Sequence, residues 1–71
     1  MSPNHPAILR RRQVELRTGL SRTGIYSKLN PKSRYYDPSF PRQISLGGAV
    51  VGWIEAEVEA WIEARIGLRD G

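Results

Sequence analysis

The side chains best suited to chemistry lie in one stretch, "TGLSRTGIYSKL", Thr18 to Leu29. It holds Ser21, Arg22, Thr23, Tyr26, Ser27 and Lys28. These are cations and hydroxyls, which recognise phosphates and base edges. Ser21 is placed to cap a helix, its hydroxyl accepting from a free backbone N–H one turn on. That end of a helix carries partial positive charge and favours Asp or Glu. Here it holds Arg22, and no acid follows before Asp37. Position 24 is Gly24, so no Glu or Gln forms a capping box with Ser21. The stretch therefore reads as an anion site that an external phosphate or guanine edge would complete. Arg22 can bond guanine in two places, and Thr23 can contact a thymine methyl. Tyr26 stands either on the exposed face or half-buried, its ring on the core and its OH on a phosphate, and Lys28 is expected on the phosphate backbone. Gly24 costs about 1 kcal/mol relative to alanine inside a helix. It either lets nucleic acid approach the backbone or is simply tolerated.

The rest of the chain must position that stretch. Leu9 to Thr18 reads as a first helix, with Val14 and Thr18 on one face and Leu9 or Leu20 closing it. Gly19 stops the first helix and Leu20 plugs the corner. The second helix runs Arg22 to Leu29, with Ile25 and Leu29 turned inward, and Asn30-Pro31 ends it. Residues 30–41, "NPKSRYYDPSFP", hold three prolines and read as a loop ordered by Tyr35, Tyr36 and Phe40. "RQISL" (Arg42 to Leu46) and "AVVGW" (Ala49 to Trp53) read as strands joined by a Gly47-Gly48 turn. In "WIEAEVEAWIEARI" an apolar stripe runs through Ile54, Val58, Trp61, Ile62 and Ile66. Glu55, Glu59 and Glu63 form the opposite, solvated face, repelling one another at four-residue spacing.

The expected architecture is mostly α with a small β-hairpin wing: a winged helix-turn-helix of three helices plus a two-stranded wing. Residues 1–7 read as a flexible arm, 8–67 as the domain and 68–71 as a short tail.

Charge is unevenly spread over the 71 residues, whose net charge is +4. Residues 1–48 carry nine Lys or Arg and two acids, a balance of +7; residues 49–71 carry two and five, a balance of −3. The gradient favours a basic face meeting phosphates. Arg10, Arg11 and Arg12 cannot share one helix face, so only one or two of them are expected on the DNA backbone. Lys32, Arg34, Arg42, Gly47 and Gly48 complete the expected backbone contacts.

Catalysis finds little support. There is no cysteine, and the one histidine, His5, lies in the arm. The carboxylates cluster on one helix, and no Gly-rich phosphate loop is present. No catalytic residue, metal site or cofactor is expected. No apolar run approaches the roughly 20 residues that span a bilayer, and a cytoplasmic, nucleoid-associated protein with no membrane partner is expected.

Three segments, "ILRRRQVELRTGLSRTGIY" (Ile8 to Tyr26), "FPRQISLGG" (Phe40 to Gly48) and "VGWIEAEVEAWIEARI" (Val51 to Ile66), resemble the AlpA family of phage and prophage transcriptional regulators. These are small relatives of MerR-type winged helix-turn-helix proteins and of phage excisionases. The resemblance implies DNA binding at a promoter or attachment region and control of integrase or excisionase genes. It places Ser21, Arg22, Thr23 and Tyr26 on the recognition helix and Gly47-Gly48 at the wing. The chain departs from the family pattern at Thr23-Gly24, where members often have Ser-Thr. It departs again after Gly48, where Ala49 and Val50 stand in place of a frequent arginine. The loop Pro31 to Pro41 is also longer than in many members, and Lys32, Arg34 and the tyrosines could supply the contact a wing arginine would make.

The expected partner is double-stranded DNA, bound by a homodimer or by cooperative copies, with integrase or RNA polymerase as protein partners. Two further readings compete with a sequence-specific regulator. One is an architectural excisionase that bends attachment-site DNA and recruits integrase. The other is a protein-interaction adaptor working through the acidic last helix.

Overall fold

The computed structural model describes residues 7–69. Its order is β1 (Ile8–Leu9), α1 (Arg11–Thr18), α2 (Arg22–Leu29), β2 (Ile44–Gly47), β3 (Val50–Ile54) and α3 (Glu55–Leu68). Three helices surround a small antiparallel sheet, an arrangement compatible with a winged helix.

The sheet has one strand more than the expected two-stranded wing. Its order is β1-β3-β2. Ile8 pairs with Ile54 and Leu9 with Trp53. Leu9 is thus in a strand, not in the first helix, because pairing with β3 buries its side chain to 4% exposure beside Trp53. The helix starts two residues later, at Arg11. Its entry is held by the Gln13 side-chain oxygen, which accepts from the Arg10 backbone N–H at 2.8 Å.

Gly52 sits at the middle of the central strand, where its neighbours leave no room. A Cβ there would lie 2.6 Å from Ile8 Cγ2, 3.1 Å from Leu46 Cδ1 and 3.2 Å from the Leu9 carbonyl. Only glycine lets β1 and β2 close on β3 at this point.

The hairpin turn falls one residue later than Gly47-Gly48. Gly47 pairs with Val50, with an irregularity in register between Ser45 and Gly47. Both glycines have positive φ, 114° and 56°. The irregularity leaves Leu46 43% exposed, so it does not share an inward face with Ile44.

The α1–α2 corner follows the local signals. Gly19 takes a left-handed φ of 76°, and its N–H donates to the Glu15 carbonyl. Ser21 then caps α2, its Oγ accepting from Gly24 N–H at 3.0 Å. Leu29 is the last helical residue, followed by Asn30-Pro31 as expected.

One core joins β1, β3 and the three helices. Leu9, Val14, Ile25, Phe40, Trp53 and Val58 are buried, with Leu20, Leu29, Val51, Trp61 and Ile62 packed around them. The Trp53 indole N–H donates to the Pro41 carbonyl at 3.2 Å, so this large apolar ring is buried with its one polar atom satisfied. Phe40 meets Trp61 edge-on, centroids 5.0 Å apart. Of the expected stripe on α3, Val58 is fully buried while Ile66 is 47% exposed. The helix outruns the body it packs on, and Leu68, assigned by sequence to a tail, is still helical. Ala7, expected in the arm, accepts from Glu55 N–H at 2.8 Å and so tethers the start of α3. The remainder of the expected arm, residues 1–6, lies outside the described residues.

Candidate nucleic-acid interface

Helix α2 turns one face to the core and one outward. At about 100° per residue, the buried Ile25 and half-buried Leu29 define the inner side. Thr23 and Ser27 then lie at the middle of the outer side. Arg22 and Tyr26 fall on one flank, Gly24 and Lys28 on the other.

Arg22, Thr23, Tyr26, Ser27 and Asn30 line an open depression of ≈ 300 Å³. Arg22 is exposed, and none of the ion pairs among the described residues involves it. Tyr26 is exposed, at 36%, the first of the two placements the sequence left open. A second depression of ≈ 280 Å³ joins Tyr26 and Leu29 to Arg42 and Gln43. A third, of ≈ 350 Å³, joins Ser21, Thr23, Gly24, Ser27 and Lys28 to Tyr35. The outer face of α2 therefore lies between two shoulders. Arg42 and Gln43 form one, at the entry to the hairpin, and Tyr35 forms the other, in the loop.

Lys28, expected on the phosphate backbone, lies close to an aromatic ring. It is half-buried, its ammonium 5.7 Å from the centre of the Trp61 ring. The flank it occupies faces α3 and the loop, where Asp37 also lies. The Asp37 backbone N–H donates to the Lys28 carbonyl at 3.0 Å. The Asp37 carboxylate accepts from Ser39 N–H, Ser39 Oγ and Trp61 Nε1. The Ser39 hydroxyl, above all, holds the Asp37 carboxyl below its usual range, and the Trp61 indole and Lys28 act in the same direction against the cost of partial burial.

The loop is ordered by its backbone more than by its aromatics. Asn30 Oδ1 accepts from Lys32 N–H at 2.9 Å and Ser33 Oγ from Tyr35 N–H at 3.0 Å. Phe40 is buried and Tyr36 half-buried, but Tyr35 stays 61% exposed, contrary to its expected packing. The Arg34 guanidinium lies over the Tyr35 ring at 5.4 Å.

The remaining basic residues differ in their surroundings. Arg11 pairs with Glu15 one turn on. Arg10 and Arg12 are exposed around the start of α1 and Lys32 is exposed in the loop. Gly47 and Gly48 form the exposed end of the hairpin. None of these residues shares the three depressions around α2.

Three residues escaped sequence reasoning. Asn30 and Gln43 border the α2 depressions, and no local signal marks either, since their position depends on how the chain returns past α2. Arg17 is the third. It donates to Glu55 at 2.7 Å and to Glu59 at 2.5 Å, bridging α1 to α3. These bonds, Glu55 first and then Glu59, push the guanidinium pKa further up and keep it charged. The four-residue Glu spacing was the available signal, because adjacent carboxylates on one helix face invite a shared cation. Two of the three acids read as a solvated face thus share a cation from α1 at the protein surface.

Among the described residues, no cluster of His, Asp or Glu could hold a metal ion. No described helix is long and apolar enough to cross a membrane.

The profile of the family described as "Prophage CP4-57 regulatory protein (AlpA)" matches residues 7–66. The protein described as "DNA-binding transcriptional activator AlpA" from Escherichia coli (strain K12) is 49% identical over 61 residues, covering 86% of this chain and 87% of that one. "Uncharacterized protein ORF88" of Enterobacteria phage P4 is 43% identical over 51 residues, 72% of this chain and 51% of the phage protein. No solved structure matches. With the profile spanning nearly every described residue, the chain belongs to the AlpA family of prophage regulatory proteins.

Proposed function

We propose that this protein is a DNA-binding transcriptional regulator of prophage type, a winged helix-turn-helix that lays α2 in the major groove. The observation that carries the reading is Arg22: a cation on the positive end of a capped helix, exposed and without an ion pair among the described residues. An isolated helix would be destabilised by that placement. A phosphate or a guanine edge supplies the missing charge partner, and the free N–H groups of the first turn add to it. The naming of the Escherichia coli relative as a DNA-binding transcriptional activator supports the same reading.

In this arrangement Arg22 and Thr23 reach base edges from the N-terminal turn, as recognition helices do. Tyr26 and Ser27 follow along the groove. Ser21 holds the helix end and meets a phosphate near it. Lys28, drawn toward Trp61, contributes charge rather than a direct contact. Arg10, Arg12, Lys32, Arg34 and Arg42 contact the flanking backbone, with Gly47 and Gly48 at the wing, while Arg11 shares its charge with Glu15. Eight residues of helix grip few base pairs, so adjacent copies on repeated half-sites would supply the remaining affinity. The regulated genes are those of prophage integration or excision.

Footprinting on the DNA flanking the coding region gives the site. Arg22→Ala is expected to weaken binding to that site by about 1–3 kcal/mol while mixed-sequence duplex is held nearly as before. Equal loss on both duplexes would make Arg22 a phosphate contact only, and no loss on either would refute the placement of α2.

A further inference from the structure

We propose that the Arg34–Tyr35 pair is a second DNA contact, a rest for the sugar-phosphate backbone on the Gly24 side of α2. The proposal rests on α2 being the groove-binding helix and adds the element that limits how deeply that helix seats. Tyr35 is the most exposed aromatic ring among the described residues, at 61%, yet it is not loosely attached. Its backbone N–H donates to Ser33 Oγ at 3.0 Å, and the next N–H, of Tyr36, donates to the Ser33 carbonyl at 3.1 Å. Ser33 N–H in turn donates to the Asn30 carbonyl at 2.9 Å, directly after the end of α2. The ring is thus carried on a turn built from the helix terminus. It borders the same open depression as Ser21, Thr23, Gly24 and Ser27.

Charge identifies the occupant. The one acid of the loop, Asp37, is directed at Ser39 and Trp61. The exposed part of the loop is left with Lys32 and Arg34, neither of which enters an ion pair among the described residues. A cationic loop bearing an exposed ring suits a polyanion with apolar sugar edges. The guanidinium over the ring orients Arg34 for a phosphate, while the other side of the ring packs on deoxyribose. Such contacts carry no sequence information. The loop therefore adds affinity equally on every duplex.

The test measures binding of labelled mixed-sequence duplex and of the footprinted duplex across a salt series. Tyr35→Ala is expected to weaken both by the same factor, about two- to fivefold, with melting temperature and salt slope unchanged. Tyr35→Phe is expected to bind as the parent does, because the ring is the contact. Arg34→Ala is expected to weaken both duplexes and make the salt slope shallower by about 1. If Tyr35→Ala binds both duplexes like the parent while Arg22→Ala loses the footprinted site, the loop contact is wrong and the α2 reading stands. If Tyr35→Ala affects only the footprinted duplex, the ring reads a base and the backbone rest is refuted. If Arg22→Ala and Tyr35→Ala both bind normally, the underlying reading of α2 fails as well.

Discussion

Two charged regions of this small protein have opposite fates. At the exposed seam of α1 and α3, Arg17 is held between Glu55 and Glu59, and its charge is met by the chain's own acids. On the outer side of α2, Arg22 has no such partner among the described residues, although these hold acids enough to provide one. Both regions look equally polar in sequence. The difference is whether tertiary structure closes the electrostatic circuit. A closed circuit ties two helices together weakly at the surface, and an open one leaves a binding energy for something outside the molecule.

Substitutions at the two regions should separate in kind. The largest effect belongs to Arg22→Ala, which is expected to lose about 1–3 kcal/mol of specific DNA binding while the melting temperature holds or rises slightly, because the cation opposes the helix dipole. Next in size is Gly24→Ala. A Cβ at position 24 meets only ordinary contacts, the nearest being Ser21 Oγ at 3.4 Å. The substitution should stabilise the protein by about 0.5–1 kcal/mol, read by urea denaturation. A simultaneous loss of DNA affinity would show that nucleic acid comes close to the bare backbone there.

Arg17→Ala belongs to the other region. It is expected to lower the melting temperature modestly at low salt, with the difference fading as salt rises, since exposed ion pairs are screened. DNA affinity should be nearly unaffected. The smallest effect is on pH dependence. Asp37 has its folded pKa depressed, chiefly by Ser39. Its contribution is complete above the ordinary carboxylate value of about 3.9 and is lost as pH falls through the lower folded value. Asp37→Asn should therefore flatten the acid limb of the stability profile, measured by thermal melts from neutral pH downward.

Sequence reasoning was most accurate where the cause is local. The bounds of α2, the Ser21 cap and the Gly19 stop all follow from a few adjacent residues, and the structure reproduces them. It was least accurate where the cause lies across the chain. Leu9 has the right spacing for a helical stripe, but its partner is Trp53, and pairing with that strand outweighs helix propensity. The crowding that requires glycine at position 52 involves Ile8 and Leu46 together, and neither spacing hints at it. The candidate site divides the same way. Arg22, Thr23, Tyr26 and Ser27 were legible because one helix displays them. Tyr35 and Gln43 join them only through the path of a loop whose fold depends on Asp37 reaching Trp61.

The most direct test sets the two regions side by side: affinity for the footprinted duplex across a salt series, for the parent, Arg22→Ala and Arg17→Ala. The parent should bind with log K falling linearly in log salt, by about 0.9 per phosphate neutralised. Arg17→Ala should follow the parent, and Arg22→Ala should fall well below it at every salt concentration. Arg22→Ala tracking the parent while Arg17→Ala loses binding would contradict the account, placing the DNA-facing charge at the seam instead of on α2.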